Sequence, residues 1–150
     1  MDDSKNTGGQ TLSLQLVGLA FKAGKLAVGD AAVSEAAVAN KRVRLICTAS
    51  DASERVRERA EQMPERCNGL YVALPVDRVA LGAALGLKDC GIIAFLDPGF
   101  AWAFAKKLTE IDAARYGALE AELRARKDRA ERRKQKKHGG GNRGNQARGG

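Results

Sequence analysis

The amino-acid sequence predicts an α/β fold, a three-layer α/β/α sandwich around a small mixed sheet. Short apolar runs alternate with helical segments over about 100 of the 150 residues, which is the pattern of a sheet covered by helices. Capping residues, glycines and prolines mark the boundaries of those segments. The length of 150 residues fits a single domain with a proper core.

The first half of this domain is predicted to alternate helix, strand, helix and strand. Apolar residues at helical spacing predict a helix over 12–24, and "KLAVG" predicts a short strand that ends at Gly29. Asp30 follows and is predicted to cap the second helix, because its carboxylate can accept hydrogen bonds from the free amides there. The apolar run "VRLICT", residues 43–48, predicts a central strand.

The second half continues the alternation with two more strands and three helices. A charged helix follows the possible caps Ser50, Asp51 and Ser53 and is predicted to end at Pro64. The remaining elements are a strand in "GLYVALP", a helix between Asp77 and Gly86, a strand in "CGIIAFL", and a helix that begins at Asp97 and Pro98.

The composition changes at both ends of the domain, and four segments follow from it. They are a disordered lead-in at 1–10, the domain at 11–108, a basic helical extension at 109–137, and a disordered Gly/Arg tail at 138–150. Nothing in the polar start "MDDSKNTGGQ" indicates a secretory signal, and no apolar run is long enough to cross a membrane. We therefore expect a cytoplasmic protein.

The net charge of +8 is concentrated at the C-terminal end. Residues 121–150 contain 11 basic and 3 acidic residues, so the first 120 residues are neutral as a group. Tyr116, Leu119 and Leu123 are spaced to form an apolar stripe that folds back on the domain, and beyond Leu123 basic residues dominate. A neutral body with a cationic extension is typical of a protein that binds a polyanion, and RNA is the expected one.

Few residues have the pattern of a catalytic or metal-binding site. Cys47, Cys67 and Cys90 are far apart and are predicted to be small buried residues, and His138 lies in the basic tail. Neither a P-loop nor a dinucleotide-binding glycine motif follows a strand. We therefore predict no catalytic residue, no metal, no cofactor and no small-molecule substrate.

Four motifs in order resemble a family of RNA-binding ribosomal proteins. They are "GLAFKAGKLAVG" at 18–29, "SDAS" at 50–53, "LGAALG" at 81–86 and "DPGFA" at 97–101. Over residues 12–107 the chain resembles the small bacterial branch of the ribosomal protein L-seven-Ae family, whose members bind kink-turn RNA. The resemblance implies an α/β/α sandwich with a mixed sheet, and RNA bound by the glycine turn and the start of the second helix.

The family pattern after that glycine is Asn–Glu followed by a lysine one turn later, and this sequence differs from it. Ala31 and Ala32 follow Asp30, and the position of the lysine falls on Glu35 or Ala36. The loss of a phosphate contact and the added negative charge weaken the case for kink-turn binding through this end.

The resemblance places Lys22, Lys25 and Arg78 near the same end, where they can hold RNA. The predicted RNA-binding residues are Lys22, Lys25, Gly29, Asp30, Arg78, Arg124, Arg126, Lys127, Arg129, Arg132, Arg133, Lys134, Lys136 and Lys137. The expected function is non-catalytic binding of ribosomal or other structured RNA, with ribosomal proteins as possible further partners. The alternative is a protein-interaction module of the same fold that has lost specific kink-turn recognition.

Overall fold

The protein folds around a four-stranded mixed sheet. The computed structural model describes residues 12–39 and 42–149, and the side chains up to residue 135. The strands are β1 (Leu26–Val28), β2 (Leu45–Thr48), β3 (Leu70–Ala73) and β4 (Ile92–Phe95). They lie in the order β1-β4-β2-β3, with β4 antiparallel to both of its neighbours and β2 parallel to β3.

Seven helices surround the sheet in the described part of the chain. They are α1 (Gln15–Lys22), α2 (Asp30–Val38), α3 (Glu54–Gln62), the single turn α4 (Pro64–Cys67), α5 (Arg78–Leu85), α6 (Pro98–Ile111) and α7 (Ala113–Gly149). No helix among the described residues combines the length and the apolar character that a membrane crossing needs.

The two faces of the sheet carry separate cores, because side chains alternate along each strand. Leu45, Cys47 and Phe95 face a core shared with α1, α5, α6 and α7. Ile46 and Ala94 face a second core shared with α2, α3 and α4. Each central strand is buried along its whole length. The predicted α/β/α sandwich is therefore confirmed, and the sheet is mixed as expected.

Three of the predicted helix caps are confirmed and one is wrong. The side chains of Ser53, Asp77 and Asp97 each accept a hydrogen bond from a backbone amide in the first turn of the helix that follows. Asp30 does not cap α2: Gly29 is the cap residue, and Asp30 is already inside the helix. The carboxylate of Asp30 bonds instead to the side chains of Ser34 and Arg59.

Helix α7 folds back on the body through the predicted stripe. Tyr116 and Leu123 are each 2% exposed and belong to the core on the α6 side of the sheet, with Leu119 packed against it. The helix runs to Gly149, beyond residue 137, where the composition predicts a disordered tail. The predicted lead-in at 1–10 lies outside the described residues.

Candidate nucleic-acid interface

The glycine turn at the end of β1 forms as the sequence predicts, but the carboxylate of Asp30 is bonded to other side chains of the protein. Gly29 has a φ of 92° and donates its amide to the carbonyl of Ile92, which fixes the turn to the end of β4. The carboxylate of Asp30 accepts hydrogen bonds from the guanidinium of Arg59 and the hydroxyl of Ser34. Asp30 therefore connects α2 to α3, a contact that the sequence analysis missed.

Arg78 lies at the same end of the sheet as Gly29. Its amide donates to a carboxylate oxygen of Asp51 at 2.8 Å, and its side chain lies beside Gly91, which precedes β4. The carbonyl of Gly91 accepts the amide of Ala49, just after β2. Gly29, Asp30 and Arg78 are thus brought together. The carboxylate of Asp51 also lies at this end of the sheet, so two carboxylates are present there.

Lys25 and Lys22 lie at the other end of the sheet, so the expected grouping with Gly29 is wrong for them. The carbonyl of Lys25 accepts the amide of Leu96, beyond the end of β4 that is opposite to Gly29. Its amide donates to Ala20 in the last turn of α1, which also contains Lys22. The physical reason is simple: β1 separates Lys25 from Gly29, and a strand is extended.

A groove lined by arginines lies at this second end. Its volume is about 660 Å³, and we call it the arginine groove. The lining residues come from the segment before β2, the end of α4 and the residue after it, and α7: Arg42, Val43, Arg44, Cys67, Asn68, Arg126, Arg129 and Arg133. Five guanidinium groups therefore meet in one concave surface, and no acidic residue lines it.

Arg126 is held in place within the arginine groove. Its guanidinium donates to the carbonyl of Asn68 at 2.7 Å and to the carboxylate of Glu122, one turn earlier on α7, at 2.8 Å. Asn68 adopts the left-handed conformation that ends α4, which is common for asparagine at that position. The bond to Asn68 attaches the basic part of α7 to the body.

Arg44 is partly buried among like charges in the arginine groove. Partial burial lowers its pKa, and the positive charges of Arg42, Arg133 and Arg126 lower it further, while Asp97 acts in the opposite direction. The Nε of Arg44 is buried, and no hydrogen-bond partner for it is present among the described residues. The groove is therefore rich in donors and poor in acceptors.

The other predicted cations of α7 are divided between structural contacts and exposed positions. The ammonium of Lys127 lies 5.1 Å from the ring centre of Trp102 and 3.0 Å from a carboxylate oxygen of Glu131. The indole of Trp102 donates to Glu120, so Trp102 contacts α7 twice. Arg124, Arg132 and Lys134 are exposed. The side chains of Lys136 and Lys137 lie outside the described residues.

Covalent or metal chemistry has little support in the part of the chain that is described. Residues 12–39 and 42–135, whose side chains are described, hold no cluster of metal-ligating side chains. The three cysteines are buried free thiols, and burial raises the pKa of Cys47 far above its usual value. A protonated, inaccessible thiol is a poor nucleophile.

Sequence reasoning did not identify Arg42 and Arg44 as site residues. The signal was the basic run "KRVR" directly before β2, but its meaning depends on where α7 docks. A pattern within one segment cannot supply that information.

The fold and its arginine-lined groove define a class, an α/β/α sandwich with a docked cationic helix. One solved structure, described as that of a protein with unknown function from Bacillus halodurans, is similar, with a TM-score of 0.57 and 29% sequence identity. The match covers 66% of this chain and 95% of that one. About a third of this chain has no counterpart in it. No known protein-family model and no curated protein matches the sequence.

Proposed function

We propose that this protein is a non-catalytic RNA-binding protein associated with ribosomal or other structured RNA in the cytoplasm. The observation that carries the proposal is the fixed position of the cationic helix. Helix α7 is docked through Tyr116 and Leu123, and Arg126 is bonded to the carbonyl of Asn68, so the start of its basic region lies against the folded body. A cationic surface of this kind attracts a polyphosphate chain and releases counterions when it binds.

The resemblance to the kink-turn-binding family supports RNA as the polyanion. The sandwich architecture agrees with that family, and Gly29 and Arg78 lie together at the end that the family uses. Free thiols at Cys47, Cys67 and Cys90 are compatible with a reducing compartment. Ribosomal proteins are the further partners that this proposal implies.

Deletion of residues 124–150 tests the proposal. Binding to a structured ribosomal RNA fragment should weaken by about tenfold or more, and the plot of log K against log salt should become flatter, because phosphate contacts are lost. The matched control is deletion of 138–150, which removes only two of the 11 basic residues of the C-terminal segment and should have a smaller effect. An unchanged salt slope after the longer deletion contradicts the proposal.

A protein-interaction module is the second candidate, and exposed apolar side chains favour it. Leu19 and Phe21 on α1 and Leu87 after α5 are each about half exposed, at 48%, 46% and 46%. Contiguous apolar patches are a common feature of protein-binding surfaces, and α1 and α5 pack against each other. Partners that stay bound to the protein after nuclease treatment support this candidate, whereas nuclease-sensitive capture supports RNA.

A further inference from the structure

We propose that the arginine groove is a binding site for the phosphodiester backbone of an RNA strand, at the end of the sheet opposite Gly29. The inference rests on the proposed function and adds to it the surface that holds the strand. Arg44 and Gly29 lie beyond opposite ends of the sheet, roughly 15 Å apart along the strands. The groove is therefore separate from the glycine turn.

Convergence of like charges is the first argument. Arg42 and Arg44 come from the body, and Arg126, Arg129 and Arg133 come from α7, yet all five line one cavity. Glu122 pairs with Arg126, but no acidic residue lines the cavity itself. Gathering these cations is therefore unfavourable unless an anion joins them. Guanidinium groups are the side chains best suited to phosphate, since each presents several donors in a fixed plane.

Unused donors are the second argument. The buried Nε–H of Arg44 has no partner among the described residues, and a buried donor without an acceptor is costly. Arg42 has a φ of 61°, an unfavourable conformation for a residue with a side chain. Such costs are often found where a ligand compensates them. A phosphate bound in the groove would supply negative charge to offset the like charges that surround the guanidinium of Arg44.

The shape of the groove indicates a chain of phosphates. A volume of about 660 Å³ is large for one inorganic anion, since cavities of this size hold whole small-molecule ligands. Arg126 and Arg133 are two turns apart on α7, which spans about 10 Å and exceeds the width of one phosphate group. Val43 and Cys67 are the apolar lining residues, and no aromatic ring offers a stacking surface for a base. The groove therefore contacts the backbone and does not read the sequence.

The experiment compares two pairs of arginines on the same helix. Arg129→Gln/Arg133→Gln removes two cations that line the groove, and Arg124→Gln/Arg132→Gln removes two that do not. All four side chains are exposed, so the pairs differ in position and not in burial. Both pairs change the charge equally, and glutamine is a good helix former. Filter binding of an oligouridylate strand and of a structured ribosomal RNA fragment should show a loss about tenfold greater for the groove pair, with the salt slope reduced by about two.

Two further binding measurements test the same inference. Arg42→Gln/Arg44→Gln, which changes the groove from the body side, should weaken binding as the Arg129/Arg133 pair does. Inorganic phosphate, at the same phosphate concentration as the RNA, should not displace the strand.

If both pairs of α7 variants lose the same RNA affinity while the unmodified protein binds RNA, the groove is not the binding site. The proposed function would be unaffected by that result. Displacement by inorganic phosphate also overturns the strand assignment, since it indicates a small-anion site. If the unmodified full-length protein binds no RNA at low salt, the proposed function itself fails.

Discussion

Two helical glycines, Gly82 and Gly117, differ in the space around them. The same substitution, to alanine, should therefore have opposite effects on the free energy of unfolding at the two positions. A Cβ at Gly82 would lie 2.5 Å from the backbone of Asp89, whereas a Cβ at Gly117 would meet nothing within 4 Å. Gly82→Ala is expected to cost about 1–3 kcal/mol through overpacking against a backbone that cannot shift freely. Gly117→Ala should stabilise by about 0.5–1 kcal/mol. Denaturant unfolding measures both, and a stabilised Gly82→Ala would contradict the close approach.

Tyr116 is expected to make stability depend on alkaline pH. Burial raises the pKa of its phenol above the usual value near 10, and Asp112 adds to the rise while Arg115 opposes it. The neutral phenol is thus favoured in the folded protein, so its contribution to stability is complete below pH 10 and is lost as pH rises through the folded pKa.

Tyr116→Phe tests this dependence. Its hydroxyl is buried without a partner among the described residues, so the substitution should be close to neutral in stability at pH 7. In thermal melts that extend about one unit above the usual phenol pKa of about 10, stability above that pH should decline less steeply for the variant. Parallel curves for both proteins would rule out the phenol as the titrating group.

At the scale of elements, docking of α7 is expected to control RNA affinity without any change of charge. Leu123 is 2% exposed and belongs to the main core, and Leu123→Ala should cost about 2–5 kcal/mol. The loosened helix would no longer hold Arg126, Arg129 and Arg133 against the body, so RNA binding should weaken as well.

The matched control for Leu123→Ala is Leu119→Ala, four residues earlier at a partly buried position. It should lose less stability and less affinity in the same melting and filter-binding measurements. Full RNA affinity in a Leu123→Ala protein that has lost stability would mean that α7 acts as a free cationic arm and not as a docked element.

On the scale of the whole molecule, RNA contact at the glycine turn can be tested separately from RNA contact at the arginine groove, because the two lie at opposite ends of the sheet. Glu35 is exposed on α2, near the position where the family has a lysine. Glu35→Lys should strengthen binding to a kink-turn RNA if the glycine turn faces it. Glu110→Lys, on α6 at the other face of the sheet, changes the charge by the same amount. Equal gains for both variants in a titration would indicate general attraction alone and would contradict contact at the glycine turn.

Local features of the fold were predictable because they depend on local chemistry. The strands around Ile46 and Ile93 are continuous apolar runs, and Asp77 and Asp97 stand where a helix must begin after a strand. Asp30 was misplaced by one position, since an acid next to a glycine can serve as a cap or as the first helical residue. Its bond to Arg59 joins residues 29 positions apart, and no periodicity encodes that.

The candidate site was less predictable for the same reason. The cations of α7 are visible as composition, and the stripe of Tyr116 and Leu123 shows that the helix docks. The direction in which α7 packs on the body places the guanidinium of Arg126 within hydrogen-bond distance of the carbonyl of Asn68, 58 positions earlier in the chain. That direction follows from packing against α6, which only the assembled core defines.

The position of Trp102 has a practical consequence, since it is the sole tryptophan of the chain. Its indole bonds to Glu120 and lies beneath Lys127, so its ultraviolet emission originates at the seam between α6 and α7. The native molecule thus carries an intrinsic optical probe of that seam, and detachment of the last helix would register as a spectral change with no label attached.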